Sequence, residues 1–94
     1  MKHPVYLDYA ATTPLDARVL ASMQPYLTAV YGNPSSLHCF GQAARRAVTR
    51  AREQTAALIG ASPAEVFFTS GGTESDNWAL RSLSEGRRKK GCRH

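Results

Sequence analysis

The chain has 94 residues and a formal net charge of +5, and 43% of its residues are hydrophobic. This length allows one small domain or a piece of a larger protein, and the hydrophobic content excludes a disordered chain. The apolar runs are far shorter than the roughly 20 residues of a membrane span, and two cysteines are too few for a disulfide scaffold. No CxxC spacing or histidine cluster indicates a metal site, and the absence of a leader segment favours a cytoplasmic protein.

The excess of positive charge lies near the C terminus. Residues 1–85 carry as many basic as acidic side chains, and the surplus comes from a basic run over residues 87–93. Such a run can bind nucleic acid. No aromatic residue interleaves it to stack on bases, so the pattern favours the solvated end of a helix, where cations complement the helix dipole. The members of the run are Arg87, Arg88, Lys89, Lys90 and Arg93.

The first third of the chain predicts a short extended piece and a helix. Residues 5–9 are β-prone, and Thr13 followed by Pro14 is typical of a helix start. Apolar side chains then recur at three- and four-residue steps over residues 19–30, which predicts an amphipathic helix. Pro25 lies inside this pattern and predicts a kink or two shorter helices.

A second helix, one strand and a third helix are predicted for the remainder. Ser35 or Ser36 can cap the second helix, which we expect to end at Gly60. The strand is expected over residues 65–69 and the third helix over about residues 74–90. The predicted inner face of the second helix holds Phe40, Ala44, Ala47, Ala51 and Leu58.

The single strand implies a larger fold. Val66, Phe67 and Phe68 form a continuous apolar run, which is typical of a strand covered on both faces in a parallel sheet. A lone strand cannot satisfy its backbone groups, and the sequence offers no convincing partner strand. We therefore expect the opening section of a larger α/β protein, mostly helical with one clear strand in this portion.

The sequence SGGTESDN at residues 70–77 is the strongest chemical signal. Two glycines follow the predicted strand and precede a helix, so first-turn amides, the helix dipole and the Thr73 hydroxyl can hold a phosphate. The alternative is a tight turn in which Thr73 caps the helix and Asp76 is its partner. These residues alone leave both interpretations open.

Three blocks of sequence together resemble one known family. They read YLDYAATTP at residues 6–14, YGNPSSLH at residues 31–38 and FTSGGTESDN at residues 68–77. In this order they resemble the cysteine desulfurases, pyridoxal-phosphate enzymes of the class V aminotransferase group. The resemblance implies the N-terminal portion of a PLP-dependent fold type I (aspartate aminotransferase-like) enzyme. Residues 1–62 would form an N-terminal helical segment, and residues 63–94 would begin the large cofactor-binding domain.

The resemblance also implies roles for individual residues. Gly72 and Thr73 match the positions that bind the phosphate of pyridoxal 5′-phosphate in the family. Ala11, Thr12 and Asn33 match segments that line the substrate entrance. Asn33 could hydrogen-bond a substrate carboxylate, and its alternative is a plain Asn-Pro turn. No catalytic residue is expected in this chain, because the family's Schiff-base lysine, ring-binding aspartate and histidine, and nucleophilic cysteine lie beyond it.

The family's activity gives the expected function. A cysteine desulfurase takes sulfur from L-cysteine, which leaves L-alanine and an enzyme persulfide, and passes the sulfur to a sulfur-acceptor or iron–sulfur scaffold protein. The full-length family is typically homodimeric, and we expect this chain alone to be inactive. Three alternatives stay open: a selenocysteine lyase or another class V relative, an independent subunit that docks with a separately encoded remainder, and a small basic module that binds nucleic acid.

Overall fold

The fold is described from a computed structural model, in which residues 2–91 can be assigned. Within these residues the chain forms three α-helices and one short 3₁₀ helix, joined by loops and turns. The elements are α1 (Ala17–Thr28), α2 (Cys39–Ile59), the 3₁₀ helix (Pro63–Glu65) and α3 (Gly72–Lys89).

The chain divides into two compact units. The first unit ends at Arg50 and holds α1 and the first half of α2. The second unit begins at Ala51 and holds the end of α2, the 3₁₀ helix and α3. Across residues 2–91, none of the helices has the length and apolar character needed to cross a membrane.

α1 begins later than its sequence predicts. Asp16, rather than Thr13, is the N-cap, and its carboxylate accepts a hydrogen bond from the Arg18 amide at 2.8 Å. The Arg18 side chain also hydrogen-bonds this carboxylate, which lowers the pKa of Asp16. Pro25 lies near the end of one continuous helix, which ends at Thr28 and is not divided in two.

α2 begins at a histidine cap rather than at either of the two serines predicted for this role. The Nδ1 atom of His38 accepts a hydrogen bond from the Gly41 amide at 3.2 Å, and the His38 carbonyl accepts one from the Gln42 amide at 3.0 Å. α2 ends at Ile59, and Gly60 follows in the left-handed conformation with φ +68°. Glycine adopts this conformation without steric cost, so the predicted end of the helix is confirmed.

The loop before α2 packs tightly against the start of the helix. Gly41 is buried, and a side chain there would collide with the carbonyl oxygens of Ser36 and Asn33. The rings of Tyr31 and Phe40 stack beside it, with their centroids 6.2 Å apart. Backbone-to-backbone contact therefore fixes this loop, and glycine is required for the close approach.

The prediction of one clear strand over residues 65–69 is wrong, because Glu65 ends the 3₁₀ helix and residues 66–69 form no strand. Val66 has φ −104° and ψ 124°, which are values typical of β backbone. A strand requires hydrogen bonds to a neighbouring strand, and the structure assigns no such neighbour within residues 2–91. Val66 therefore has the backbone conformation of a strand, but it has no hydrogen-bonded neighbour strand among the described residues.

Side chains of this segment contact the helices of the same unit. The rings of Phe67 and Trp78 meet edge to face with their centroids 5.3 Å apart. The guanidinium carbon of Arg52 lies 5.5 Å from the centroid of the Phe68 ring, which is within the range of a cation–π contact. These contacts join the segment to the second half of α2 and to the first half of α3.

Very little apolar surface is buried. Among the described residues, Ala56 is the only buried hydrophobic side chain, at 1% exposure. Leu58, which was predicted on the inner face of α2, is 86% exposed instead, and Phe67 is 63% exposed. Burial of apolar area is the main favourable contribution to folding, so residues 2–91 lack the core that a self-sufficient domain of this length requires.

Replacing Gly41 by Ala is expected to destabilise the chain by about 1–3 kcal/mol, because the new methyl group must displace backbone atoms. Gly86→Ala is the matched control, since a Cβ atom at Gly86 in α3 meets nothing within 4 Å. There alanine should stabilise the helix by about 0.5–1 kcal/mol. Urea unfolding followed by circular dichroism measures both changes, and a Gly41→Ala variant as stable as the parent chain would contradict the described packing.

Candidate functional site

The turn before α3 presents exposed backbone donors. Gly71 is the N-cap of α3 and provides no side-chain hydrogen bond to the helix. Gly72 and Thr73 are the first two helical residues, and both are exposed. The first amides of an α-helix have no acceptor within the helix, and the helix dipole concentrates positive charge there. This helix end can therefore receive an anion.

The alternative in which Thr73 caps α3 is wrong. An N-cap residue lies outside the helix with extended backbone, which describes Gly71 with φ 168° and ψ −177°. Thr73 lies inside the first turn, where its carbonyl oxygen accepts a hydrogen bond from the Asn77 side-chain amide at 2.8 Å. The first turn of α3 thus begins at the glycine pair and without a hydroxyl cap.

Open space lies beside both glycines. A Cβ atom placed at Gly71 or Gly72 has no neighbour within 4 Å. The φ of Gly71 is extended backbone that any residue adopts, so neither conformation nor packing within the described residues demands glycine. The missing side chains do, however, let a ligand approach the first-turn amides closely.

An acidic side chain that the sequence pattern did not single out organises this turn. The Oε2 atom of Glu74 accepts hydrogen bonds from the Ser70 hydroxyl at 2.5 Å and from the Ser70 amide at 2.8 Å. These two bonds, the one from the hydroxyl first, lower the pKa of Glu74. A glutamate in the third helical position is typical of a capping box, but Gly71 lacks the hydroxyl that would complete one. The sequence pattern therefore does not predict that Glu74 contacts Ser70.

A second contact fixes the other side of the same turn. The hydroxyl oxygens of Thr69 and Ser75 lie 2.6 Å apart, and the Thr69 hydroxyl donates to the Gly71 carbonyl at 3.1 Å. The Ser75 amide donates to the same carbonyl at 3.1 Å. The glycine pair is thus held from the preceding segment and from the first turn of α3.

The residues predicted to line a substrate entrance lie in two turns of the first unit. Ala11 and Thr12 share one exposed turn, in which their amides donate to the Asp8 carbonyl at 3.1 and 3.4 Å. Asn33 occupies a separate turn, where its Oδ1 atom accepts a hydrogen bond from the Ser35 amide at 2.9 Å. The side-chain oxygen of Asn33 therefore supports its own turn, and its amide nitrogen is the group that can donate to a ligand.

Comparison with known proteins identifies the family. The sequence profile described as aminotransferase class-V matches residues 5–92. This chain belongs to the class V aminotransferase family.

Several relatives carry the same name, cysteine desulfurase IscS. The relatives from Neisseria gonorrhoeae and Methylococcus capsulatus are 55% and 54% identical to this class V chain over 97% of its length. The relative from Dictyoglomus turgidum is 54% identical over 89% of it. The alignments cover 23%, 23% and 21% of these three proteins, so the chain spans about a quarter of the length of the curated relatives it matches. The resemblance to the cysteine desulfurases is confirmed.

Class V aminotransferases generally use pyridoxal 5′-phosphate, and the start of α3 fits the phosphate of that cofactor. The exposed amides of Gly72 and Thr73 and the Thr73 hydroxyl are hydrogen-bond donors, and the space beside the glycines is open. One feature acts against an anion, because the Glu74 carboxylate carries negative charge within the same turn. That carboxylate is directed to Ser70, where two hydrogen bonds engage it.

Nucleophilic and metal-binding groups are sparse in this part of the class V fold. Cys39 is the first residue of α2 and is exposed, and Cys92 lies outside the described residues. No group of three or more His, Cys, Asp or Glu side chains within residues 2–91 could hold a metal ion.

The hydrogen bonds between Ser70 and Glu74 predict a pH dependence. Because the pKa of Glu74 is lowered in the folded chain, its stabilising contribution is present above the ordinary glutamate pKa and is lost as the pH falls through the lowered value. The Ser70 amide resonance, followed by NMR in acid, should titrate with a midpoint below the ordinary value of 4.5. A midpoint at or above that value, or an unchanged titration in Glu74→Gln, would contradict this arrangement.

Proposed function

We propose that this chain is the N-terminal part of a pyridoxal 5′-phosphate-dependent cysteine desulfurase and that it supplies the cradle for the cofactor's phosphate. The observation that carries the proposal is the start of α3. There Gly71 gives no side-chain cap, and the amides of Gly72 and Thr73 lie in an exposed first turn with open space beside the glycines. Family membership supports the choice of cofactor, and the shared name of the relatives supports the reaction.

In this proposal Gly72 and Thr73 hold the phosphate. Their amides donate to phosphate oxygens at the positive end of the α3 dipole, and the Thr73 hydroxyl adds a third donor. When bound, the cofactor supplies a ring that serves as an electron sink. The part played by this chain is to anchor the phosphate and so orient the ring, while the Schiff-base lysine and the nucleophilic cysteine belong to the rest of the protein.

Three residues of the first unit are proposed to line the substrate entrance. Ala11 and Thr12 contribute an exposed turn, and Asn33 contributes a polar side chain. Because the Oδ1 atom of Asn33 already accepts from Ser35, we assign the Asn33 amide nitrogen as the donor to the carboxylate of L-cysteine. Residues 1–62 then form the N-terminal helical segment of the enzyme, and residues 63–94 begin its large cofactor-binding domain.

The complete enzyme is proposed to convert L-cysteine into L-alanine. The thiolate of an enzyme cysteine attacks the substrate sulfur, and the carbon–sulfur bond breaks with its electron pair left on the carbon, which takes up a proton. The enzyme cysteine then carries the sulfur as a persulfide. A sulfur-acceptor or iron–sulfur scaffold protein in the cytoplasm is the proposed recipient, and the enzyme is proposed to act as a homodimer. A selenocysteine lyase or another class V enzyme is the alternative within the same family.

The basic run near the C terminus does not favour the nucleic-acid alternative. Arg87, Arg88 and Lys89 lie in the last turn of α3, and Gly91 follows with φ +80°. Cations in the last turn complement the helix dipole, and a glycine in the left-handed conformation is typical of a helix end. The described part of the run, residues 87–90, is therefore accounted for as a solvated helix terminus, and Arg93 lies outside the described residues.

Replacing Thr73 by Val is expected to weaken phosphate binding about tenfold, because the variant keeps the shape of threonine but loses a hydrogen bond to a charged group. Pyridoxamine 5′-phosphate is the ligand of choice, since it has no aldehyde to react with lysines. Chemical shifts of the Gly72 and Thr73 amides report its binding, and pyridoxamine without the phosphate should leave them unchanged.

The matched control for this variant is Thr55→Val, which removes a hydroxyl that donates to the Ala51 carbonyl in α2 at 2.8 Å. It should bind pyridoxamine 5′-phosphate as the parent chain does. The proposal fails if the shifts concentrate on the basic end of α3, or if Thr73→Val and Thr55→Val bind equally well.

A chimera tests the proposed reaction. This chain replaces the matching segment of the Neisseria gonorrhoeae relative, with which it is 55% identical. The chimera should form alanine from L-cysteine, and the isolated 94-residue chain with added cofactor should form none. The Thr73→Val chimera should retain less cofactor after dialysis. A folded chimera that holds the cofactor but produces no alanine would contradict the proposed desulfurase activity. A preference for L-selenocysteine over L-cysteine would favour the selenocysteine lyase.

A further inference from the structure

The Glu74 side chain ties the residue before the glycine pair to the first turn of α3. Its Oε2 atom accepts from both the amide and the hydroxyl of Ser70, four residues earlier in the chain. Two donors from one residue on a single carboxylate oxygen fix both the backbone and the side chain of that residue. Gly71 and Gly72 lie between these anchor points, and they are the residues with the largest conformational freedom.

The position of Glu74 is unusual for a phosphate site. A carboxylate in the first turn favours the helix through the dipole, but it repels a phosphate bound at the same end. A purely electrostatic design would place a neutral residue here. The double hydrogen bond to Ser70 therefore indicates a role in shaping the turn rather than in attracting the ligand.

We propose that Glu74 is a positioning residue, which holds the Ser70–Gly71–Gly72 turn in the shape that presents the first-turn amides to the cofactor phosphate. This inference rests on the proposed function for the identity of the ligand. The contact between Thr69 and Ser75 braces the same turn from the other side, so the loss of Glu74 loosens the turn without abolishing α3.

Two neutral variants separate shape from charge. Glu74→Gln removes the negative charge but keeps an oxygen that accepts from Ser70, whereas Glu74→Ala removes both. Any difference between them reports the hydrogen bonds at constant charge. Glu85→Gln and Glu85→Ala are the matched controls, because Glu85 lies in the same helix and is exposed but stands far along the chain from the turn.

The first measurement is made without ligand on the chimera, because residues 2–91 bury too little apolar surface to be tested alone. Exchange of the Ser70 amide hydrogen, followed by NMR, should be about fivefold faster in Glu74→Ala than in Glu74→Gln, as expected for the loss of one hydrogen bond. The two Glu85 variants should match the parent chimera. Equal Ser70 exchange in the two Glu74 variants would overturn the proposal whether or not the chimera binds phosphate.

The second measurement is the affinity for pyridoxamine 5′-phosphate, made in the same chimera. Glu74→Gln should bind at least as tightly as the parent, because it relieves the repulsion, and Glu74→Ala should bind about fivefold more weakly than Glu74→Gln. Equal affinities of these two variants would overturn the positioning role. A parent chimera that binds no pyridoxamine 5′-phosphate would instead overturn the proposed function, while the exchange result would still decide whether Glu74 holds the turn.

Discussion

The start of α3 is the constraint on which the rest of this structure depends. A helix whose N-cap is glycine has no hydroxyl or carboxylate to satisfy its first amides, and these donors remain available to a ligand. The preceding segment is held by Phe67 against Trp78 and by Phe68 beneath Arg52, so the glycine pair follows a fixed stretch of chain. Aromatic and cation–π contacts thus support a polar site that has no structural cap of its own.

The burial pattern agrees with a chain that is one part of a longer family fold. Ala56 is buried while Leu58 of the same helix is almost fully exposed, and larger apolar side chains of the second unit are also exposed. In the relatives, more than three quarters of the polypeptide lies outside the aligned region. The nitrogen Nε of Arg52 is buried and has no hydrogen-bond partner within the described residues, which marks a donor that an additional segment could satisfy.

Features encoded by local periodicity and glycine could be predicted from the sequence, and features that depend on geometry between residues could not. Gly60 ends α2 as expected, because its left-handed conformation is a backbone property of one residue. The first residue of each helix is harder to predict. Asp16 and Thr13 are both residue types that cap helices, and the backbone conformation decides that Asp16 is the cap. The ring of His38 as a cap and the bond from Glu74 to Ser70 require distances that no pattern contains. The prediction of a strand was wrong because a strand needs hydrogen bonds to a second segment, and the pattern of one segment does not show whether that partner is present.

The described hydrogen bonds between residues have a consequence for the order of folding. They join positions no more than 11 residues apart, and the longest runs from the Arg45 side chain to the Pro34 carbonyl. Contacts this local close quickly, with little loss of chain entropy, whereas distant pairings form slowly. During synthesis on the ribosome, the turns and helices of this chain are therefore expected to form as soon as each emerges, before any distant stretch of polypeptide is made.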